Sequence, residues 1–101
     1  MLHHIALIRF KEQPSDENIE ALGRLARRIK ADVAGTHTYE FGCNADPRSQ
    51  GYDWGIVAVF ETRAAYEAYQ TSAAHEELRG FLRPLLDSIA IFHLQVGGDA
   101  A

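Results

Sequence analysis

The side chains in this chain best suited to moving a proton near neutral pH are its five histidines. One of them, His75, follows Tyr69 by six positions in the stretch AYQTSAAH, residues 68–75. A neutral imidazole accepts a proton, and a phenol hydroxyl donates a hydrogen bond to a carbonyl oxygen. Together the two groups suit enolisation or aldol chemistry on a carbonyl compound. On an unbroken helix, six residues turn through about 600° and leave the two side chains roughly 120° apart. Convergence therefore requires a break. Ser72 supplies the signal for one, because serine is a good N-cap and Glu76 and Glu77 then fall in a first helical turn. The same spacing is also met by a tyrosine packed in the core and a histidine filling the start of a helix.

The remaining candidates divide by face. His3 and His4 are adjacent on a predicted strand and point to opposite sides of it, so they cannot chelate one metal. His4 shares its side with Ala6 and Ile8. There it is either a pocket group or a hydrogen-bonded core histidine. His37 and His93 complete the set. No HxH, HExxH or Cys/His cluster is present, so no metal site and no cofactor is expected. Trp54 is suited to line a pocket for a flat or apolar ligand, or to pack as core. Cys43 has neither a CxxC partner nor a cationic neighbour in sequence, which argues against a catalytic thiol. Arg48 lies in a polar loop and reads as solvated.

Seven stretches must position these groups. LHHIALIRFK, residues 2–11, reads as a strand with His4, Ala6, Ile8 and Phe10 on one face. Ser15 caps a helix whose apolar stripe is Ile19, Leu22, Ala26, Ile29 and Val33, and Gly35 ends it. Residues 36–44 read as a second strand, with Gly42 marking a bulge or a close approach. Residues 52–62 form a third, with Trp54, Ile56, Ala58 and Phe60 on one side. Thr62 caps a short helix carrying Tyr66 and Tyr69. Ser72 caps another, with His75, Leu78, Leu82 and Leu85 in line, which Pro84 kinks or shortens. Residues 88–96 make a last strand, and 98–101 a flexible tail.

The order β-α-β-β-α-α-β predicts an α+β, ferredoxin-like fold over a single domain, residues 1–97. It has a four-stranded antiparallel sheet with helices on one face. The other face, with Ile5, Leu7, Val57 and Val59, is too apolar to meet water. Pairing of two such faces in a homodimer is the simple remedy. The net charge of −4 argues against a nucleic-acid partner. The opening apolar run is too short and polar for a signal peptide or a membrane span, and one cysteine fits a reducing cytoplasm.

Taken in order, HHIALIRFK, GYDWGIVAVFET and AYQTSAAHEELRGFLRPLLDSIAIFHL make residues 2–96 resemble the stress-responsive α/β-barrel (Dabb) family. The resemblance implies a dimeric α/β barrel. An enzymatic branch, the plant olivetolic acid cyclases, closes a linear polyketide by aldol condensation without metal or organic cofactor. By that resemblance its acid/base residues fall on Tyr69 and His75. His4 matches a pocket histidine, and Ile8, Ile56 and Ala58 match apolar wall positions. Trp54 stands where the cyclase has a second pocket histidine, and His93 where it has an aspartate placed to orient the catalytic base. The expected site is thus His75 and Tyr69 as catalytic pair, with His4, Ile8, Trp54, Ile56, Ala58 and His93 around a small apolar or carbonyl-containing ligand. Two other readings remain open. One is a non-catalytic stress-response or ligand-carrying protein. The other is a dimeric-barrel monooxygenase.

Overall fold

A computed structural model describes residues 1–97 of the chain. The expected tail, 98–101, lies outside the described residues. The elements run β1 (Leu2–Phe10), α1 (Asp16–Asp32), β2 (Thr36–Cys43), β3 (Trp54–Phe60), α2 (Arg63–Gln70), α3 (Ala73–Leu82), a 3₁₀ turn (Arg83–Leu85) and β4 (Leu86–Gln95). The strands form one antiparallel sheet in the order β2-β3-β1-β4, the ferredoxin-like arrangement expected from the element order.

Local chemistry accounts for the helix boundaries. Ser15, Thr62 and Ser72 each accept a hydrogen bond from the backbone N–H three residues on, which satisfies an otherwise orphaned donor. The chain reverses after α1 at Gly35, whose φ of +80° places it in the left-handed region. A side chain there would put its Cβ 2.7 Å from that of Ala65. Gly35 thus lets α2 sit directly against the α1–β2 turn. Pro84 ends α3 early and turns Arg83–Leu85 into a 3₁₀ segment.

Alternation along β1 and β3 sends Leu2, His4, Ala6, Ile8, Ile56, Ala58 and Phe60 beneath the helices, where all are buried. Helix α1 adds Leu22, Ala26 and Ile29 from one stripe. Full burial of Leu22 or Ile29 contributes about 1.5–3 kcal/mol each. An ion pair from Arg28 on α1 to Glu77 on α3 ties the two helices together at the surface. On the opposite face Leu7, Val57, Phe92 and Leu94 are exposed, a continuous apolar surface on the chain by itself.

Two expectations need correction. Gly42 is neither a bulge nor a close approach. It pairs in register with Gly55, and the β2–β3 register slips instead between Thr36 and Thr38. The close approach falls at Gly55, where a Cβ would lie 3.1 Å from the Ala6 carbonyl oxygen. Leu85 does not continue the α3 stripe, because the 3₁₀ turn rotates it away and brings Leu86 round to the sheet–helix cleft.

Candidate active site

A cavity of about 280 Å³ opens between the helix-side face of the sheet and the α2–α3 pair. Its inner wall holds His4, Tyr39, Ile56, Tyr66 and Tyr69. Its outer wall runs along α3 and the 3₁₀ turn through His75, Leu78, Arg79, Leu82 and Arg83. Ile89 and Ile91 on β4 close the side.

The break at Ser72 is what brings Tyr69 and His75 together. The Ser72 hydroxyl donates to the Tyr69 carbonyl (2.7 Å) and accepts from the His75 N–H (3.1 Å), so one side chain ends α2 and starts α3. With the helix interrupted, the rings of Tyr69 and His75 come to 4.4 Å between centroids. His75 Nδ1 lies 3.0 Å from the Gln70 carbonyl oxygen. A carbonyl oxygen can only accept, so in the neutral ring Nδ1 carries the proton and Nε2 keeps its lone pair. A backbone group thus fixes the tautomer that leaves Nε2 free as a base.

Tyr69 is buried, and its hydroxyl lies 2.6 Å from that of Tyr39. Either oxygen can donate. When a ligand offers an acceptor, Tyr39 donating to Tyr69 leaves the Tyr69 proton for that ligand. Burial pushes the Tyr69 hydroxyl up to about 12, with Tyr66 adding to the effect and the Tyr39 hydrogen bond opposing it. Tyr39 is raised further still, chiefly by burial and then by Tyr69. Both phenols therefore stay protonated at neutral pH and act as donors rather than as bases.

His4 Nδ1 and His93 Nε2 are 2.8 Å apart, with one ring donating and the other accepting. Burial, then His93, then His75 push His4 down to about 4, so it is neutral at physiological pH. His93 also packs edge-on against Tyr66, 4.7 Å between centroids. It stands where the resemblance placed an aspartate that orients the base, but its hydrogen bond goes to His4. Orientation of His75 falls to the Gln70 carbonyl.

Of the residues singled out from sequence, His4, Ile56, Tyr69 and His75 line the cavity; Ile8, Trp54, Ala58 and His93 do not. Ile8 and Ala58 are fully covered and present no surface to it. Trp54 pairs with Ile8, whereas His4 pairs with Ala58, so Trp54 sits four residues further along the sheet, about 13 Å away. There it stacks on Phe41 at 5.4 Å between centroids. His93 is screened by its contacts with His4 and Tyr66. Sequence reasoning did not single out Tyr39, Arg79 or Arg83. Arg79 and Arg83 follow His75 at i+4 and i+8, a spacing visible in the sequence, but arginines on a helix read first as solvated. Arg48 is paired with Asp46 at 2.8 Å, far from the cleft in the 45–51 loop. Among the described residues, no three His, Cys, Asp or Glu side chains converge as a metal site needs.

Residues 2–96 match the Dabb family, the stress responsive A/B barrel domain. The chain belongs to the Dabb family. No curated protein matches this Dabb chain in sequence. Its fold is similar to several solved structures. A protein from Arabidopsis thaliana superposes with a TM-score of 0.83 at 21% identity, covering 100% of both chains. A dimeric ferredoxin-like protein of unknown function from Thermobifida fusca gives 0.81 at 21% identity, over 94% of this chain and 90% of the other. The hydroxynitrile lyase of Passiflora edulis gives 0.82 at 17% identity, over 97% and 94%. At these identities the likeness concerns the fold. Among the described residues, no helix is long and apolar enough to cross a membrane.

Proposed function

We propose that this Dabb protein is a cytoplasmic homodimer that binds a small carbonyl compound in each subunit and performs cofactor-free acid/base chemistry on it, of the enolisation and aldol type. The observation that carries the reading is the Tyr69–His75 pair at the wall of one cavity. His75 has Nδ1 tied to a backbone carbonyl and Nε2 free, and Tyr69 has its hydroxyl backed by that of Tyr39. In this chemistry Nε2 of His75 removes the proton on the carbon next to the carbonyl. The C–H electron pair moves into the carbonyl, and the developing oxyanion accepts a hydrogen bond from Tyr69. The enolate carbon then takes a proton back or attacks a second carbonyl of the same chain. One solved protein of similar fold is a hydroxynitrile lyase, so an enzyme is found on this fold.

The test is exchange of the α-protons of a methyl ketone such as 2-heptanone in heavy water, followed by proton NMR. Wild-type protein is expected to exchange them above buffer, and a Tyr69→Phe/His75→Ala double variant with an unchanged circular dichroism spectrum is not. Absence of exchange with wild type, together with equal ketone binding by both proteins, would favour the ligand-carrying alternative.

The homodimer rests on the exposed face of the sheet and on solved relatives described as dimeric. Leu7, Val57, Phe92 and Leu94 together are more apolar than a monomer tolerates, and two such faces packed together bury them. Val57 is 48% exposed near the middle of that face. Val57→Glu would bury an unpaired carboxylate at the seam, so the variant is expected to sediment as a monomer at concentrations where wild type is a dimer. An unchanged sedimentation coefficient would move the interface elsewhere.

A further inference from the structure

The outer wall of the cavity carries positive charge that the acid/base pair does not use. His75, Arg79 and Arg83 lie at i, i+4 and i+8, and all three line the same cavity. Between them Leu78 and Leu82 contribute apolar surface. Arg28 and Arg48 elsewhere are held by carboxylates at 3.2 and 2.8 Å. Arg79 has only a long contact to Glu76, 3.7 Å, with both side chains more than half exposed. A pair of that kind contributes little and gives way readily to a better acceptor. Arg83 has no ion-pair partner among the described residues. The charges also sit at the open end. His4, Tyr39 and Tyr69 are buried at the inner end, whereas Arg79 and Arg83 are exposed.

We infer that Arg79 and Arg83 form an oxoanion subsite at the mouth of the cavity, so that the natural ligand is an acyclic or small-ring keto compound bearing a carboxylate or phosphate group. Guanidinium forks match such groups with two parallel hydrogen bonds, and the one-turn separation of Arg79 and Arg83 lets both reach a single anion. Arg83 lies one turn further, in the 3₁₀ segment, and the helical rise places Arg79 about 6 Å along α3 from His75. That distance is the separation the ligand must span between its reacting carbonyl and its anion. The apolar stretch of Leu78, Leu82 and Ile91 suits an aliphatic or aromatic connection between them. The acidic protein as a whole repels anions, so a cationic mouth on an acidic surface also selects which molecules enter.

This assignment rests on the cavity being the carbonyl site, and the experiment separates the two. The probes are 6-oxoheptanoate, its methyl ester, and 5-oxohexylphosphonate, titrated into full-length protein and followed by ¹⁵N-resolved shifts of His75 and its neighbours. Wild type is expected to bind the acid about tenfold more tightly than the ester, a preference that shrinks as salt is raised from low to high concentration. Arg79→Gln/Arg83→Gln, at exposed positions, is expected to keep the wild-type melting temperature and the ester affinity while losing the preference. Tighter binding of the phosphonate than of the carboxylate would assign the subsite to phosphate esters, and the reverse order to carboxylic acids. Equal binding of acid and ester by wild type, or a preference that survives in the double variant, would overturn the oxoanion subsite alone. No shift at His75 with any of the three would overturn the carbonyl cavity and the subsite with it.

Discussion

Alanine at position 75 is expected to lower α-proton exchange by about 100- to 10,000-fold, the range over which a positioned general base acts, with little change in stability. The size of the effect follows from the geometry. Nε2 is the free basic nitrogen beside Tyr69, and the Gln70 carbonyl holds the ring in the tautomer that exposes it. The small effect on stability follows from position. His75 is only partly buried, in the first turn of α3, and the cap that organises that turn comes from Ser72 rather than from its ring. His75→Gln sharpens the test, because it retains a polar side chain of similar reach with no basic nitrogen. If the base is the imidazole, glutamine exchanges no faster than alanine. Tyr69→Phe is expected to lower the rate less, by about 100- to 1,000-fold, as for loss of one oxyanion donor. It also leaves the buried Tyr39 hydroxyl without its partner, which costs about 1–3 kcal/mol of stability. A His75→Ala protein that exchanges at the wild-type rate would remove this histidine from the chemistry.

Much of this arrangement was legible in the sequence, because its causes are local. The alternation in β1 and β3 assigns His4, Ile56 and Trp54 to the helix side from residue types alone. Ser72 announces the break between Tyr69 and His75, and Gly35 and Pro84 mark where α1 and α3 must end. What the sequence could not supply is register across strands far apart in the chain. Trp54 and His4 share a face, but only the antiparallel pairing of β3 with β1 puts Trp54 opposite Ile8, at the far end of the sheet from His4. His93 reads as a substitute for an aspartate beside His75. The β1–β4 register places it directly across from His4, and their rings satisfy each other. The Gln70 carbonyl is invisible to any reading of side-chain types, since every residue has one. Its role appears only when the chain bends at Ser72 and leaves that oxygen without a helical donor.

The two histidine arrangements divide the labour. Each ring is held by a hydrogen bond to a group that fixes its orientation, yet their surroundings differ. His75 meets solvent and the cavity. His4 is 6% exposed, enclosed by Phe60, Tyr66 and Tyr69, and already engaged with His93 on one nitrogen. A base must be able to hold the proton it takes. His4, pushed down to about 4 by burial, His93 and His75, holds one poorly. It is therefore suited to shape and polarise the inner end of the cavity, which leaves the proposed proton transfer to His75. The same property makes His4 the most acid-sensitive point in the core.

Acidification from pH 7 to pH 4 is expected to remove about 3 kcal/mol of stability through His4 alone. The direction follows from which state binds protons. In the unfolded chain His4 titrates near 6.5, whereas in the folded protein it does so near 4. Between those values the unfolded state carries the extra proton, so stability is fully present above about pH 6.5, falls as the pH drops towards 4, and loses nothing more to this group below it. Urea unfolding at fixed protein concentration, measured at intervals from pH 7 to pH 4, should show that decline in wild type. His4→Gln keeps a hydrogen-bonding side chain facing His93 but cannot take up a proton. It should start lower at pH 7, because the aromatic cage is less well filled, and then fall less steeply. Asp46, held low by Arg48, also favours the folded state at higher pH, but it is exposed and common to both proteins, so it cancels in the comparison. Parallel curves for the two proteins would mean that His4 takes up its proton at the same pH in the folded and unfolded states, and the burial argument for it would fall.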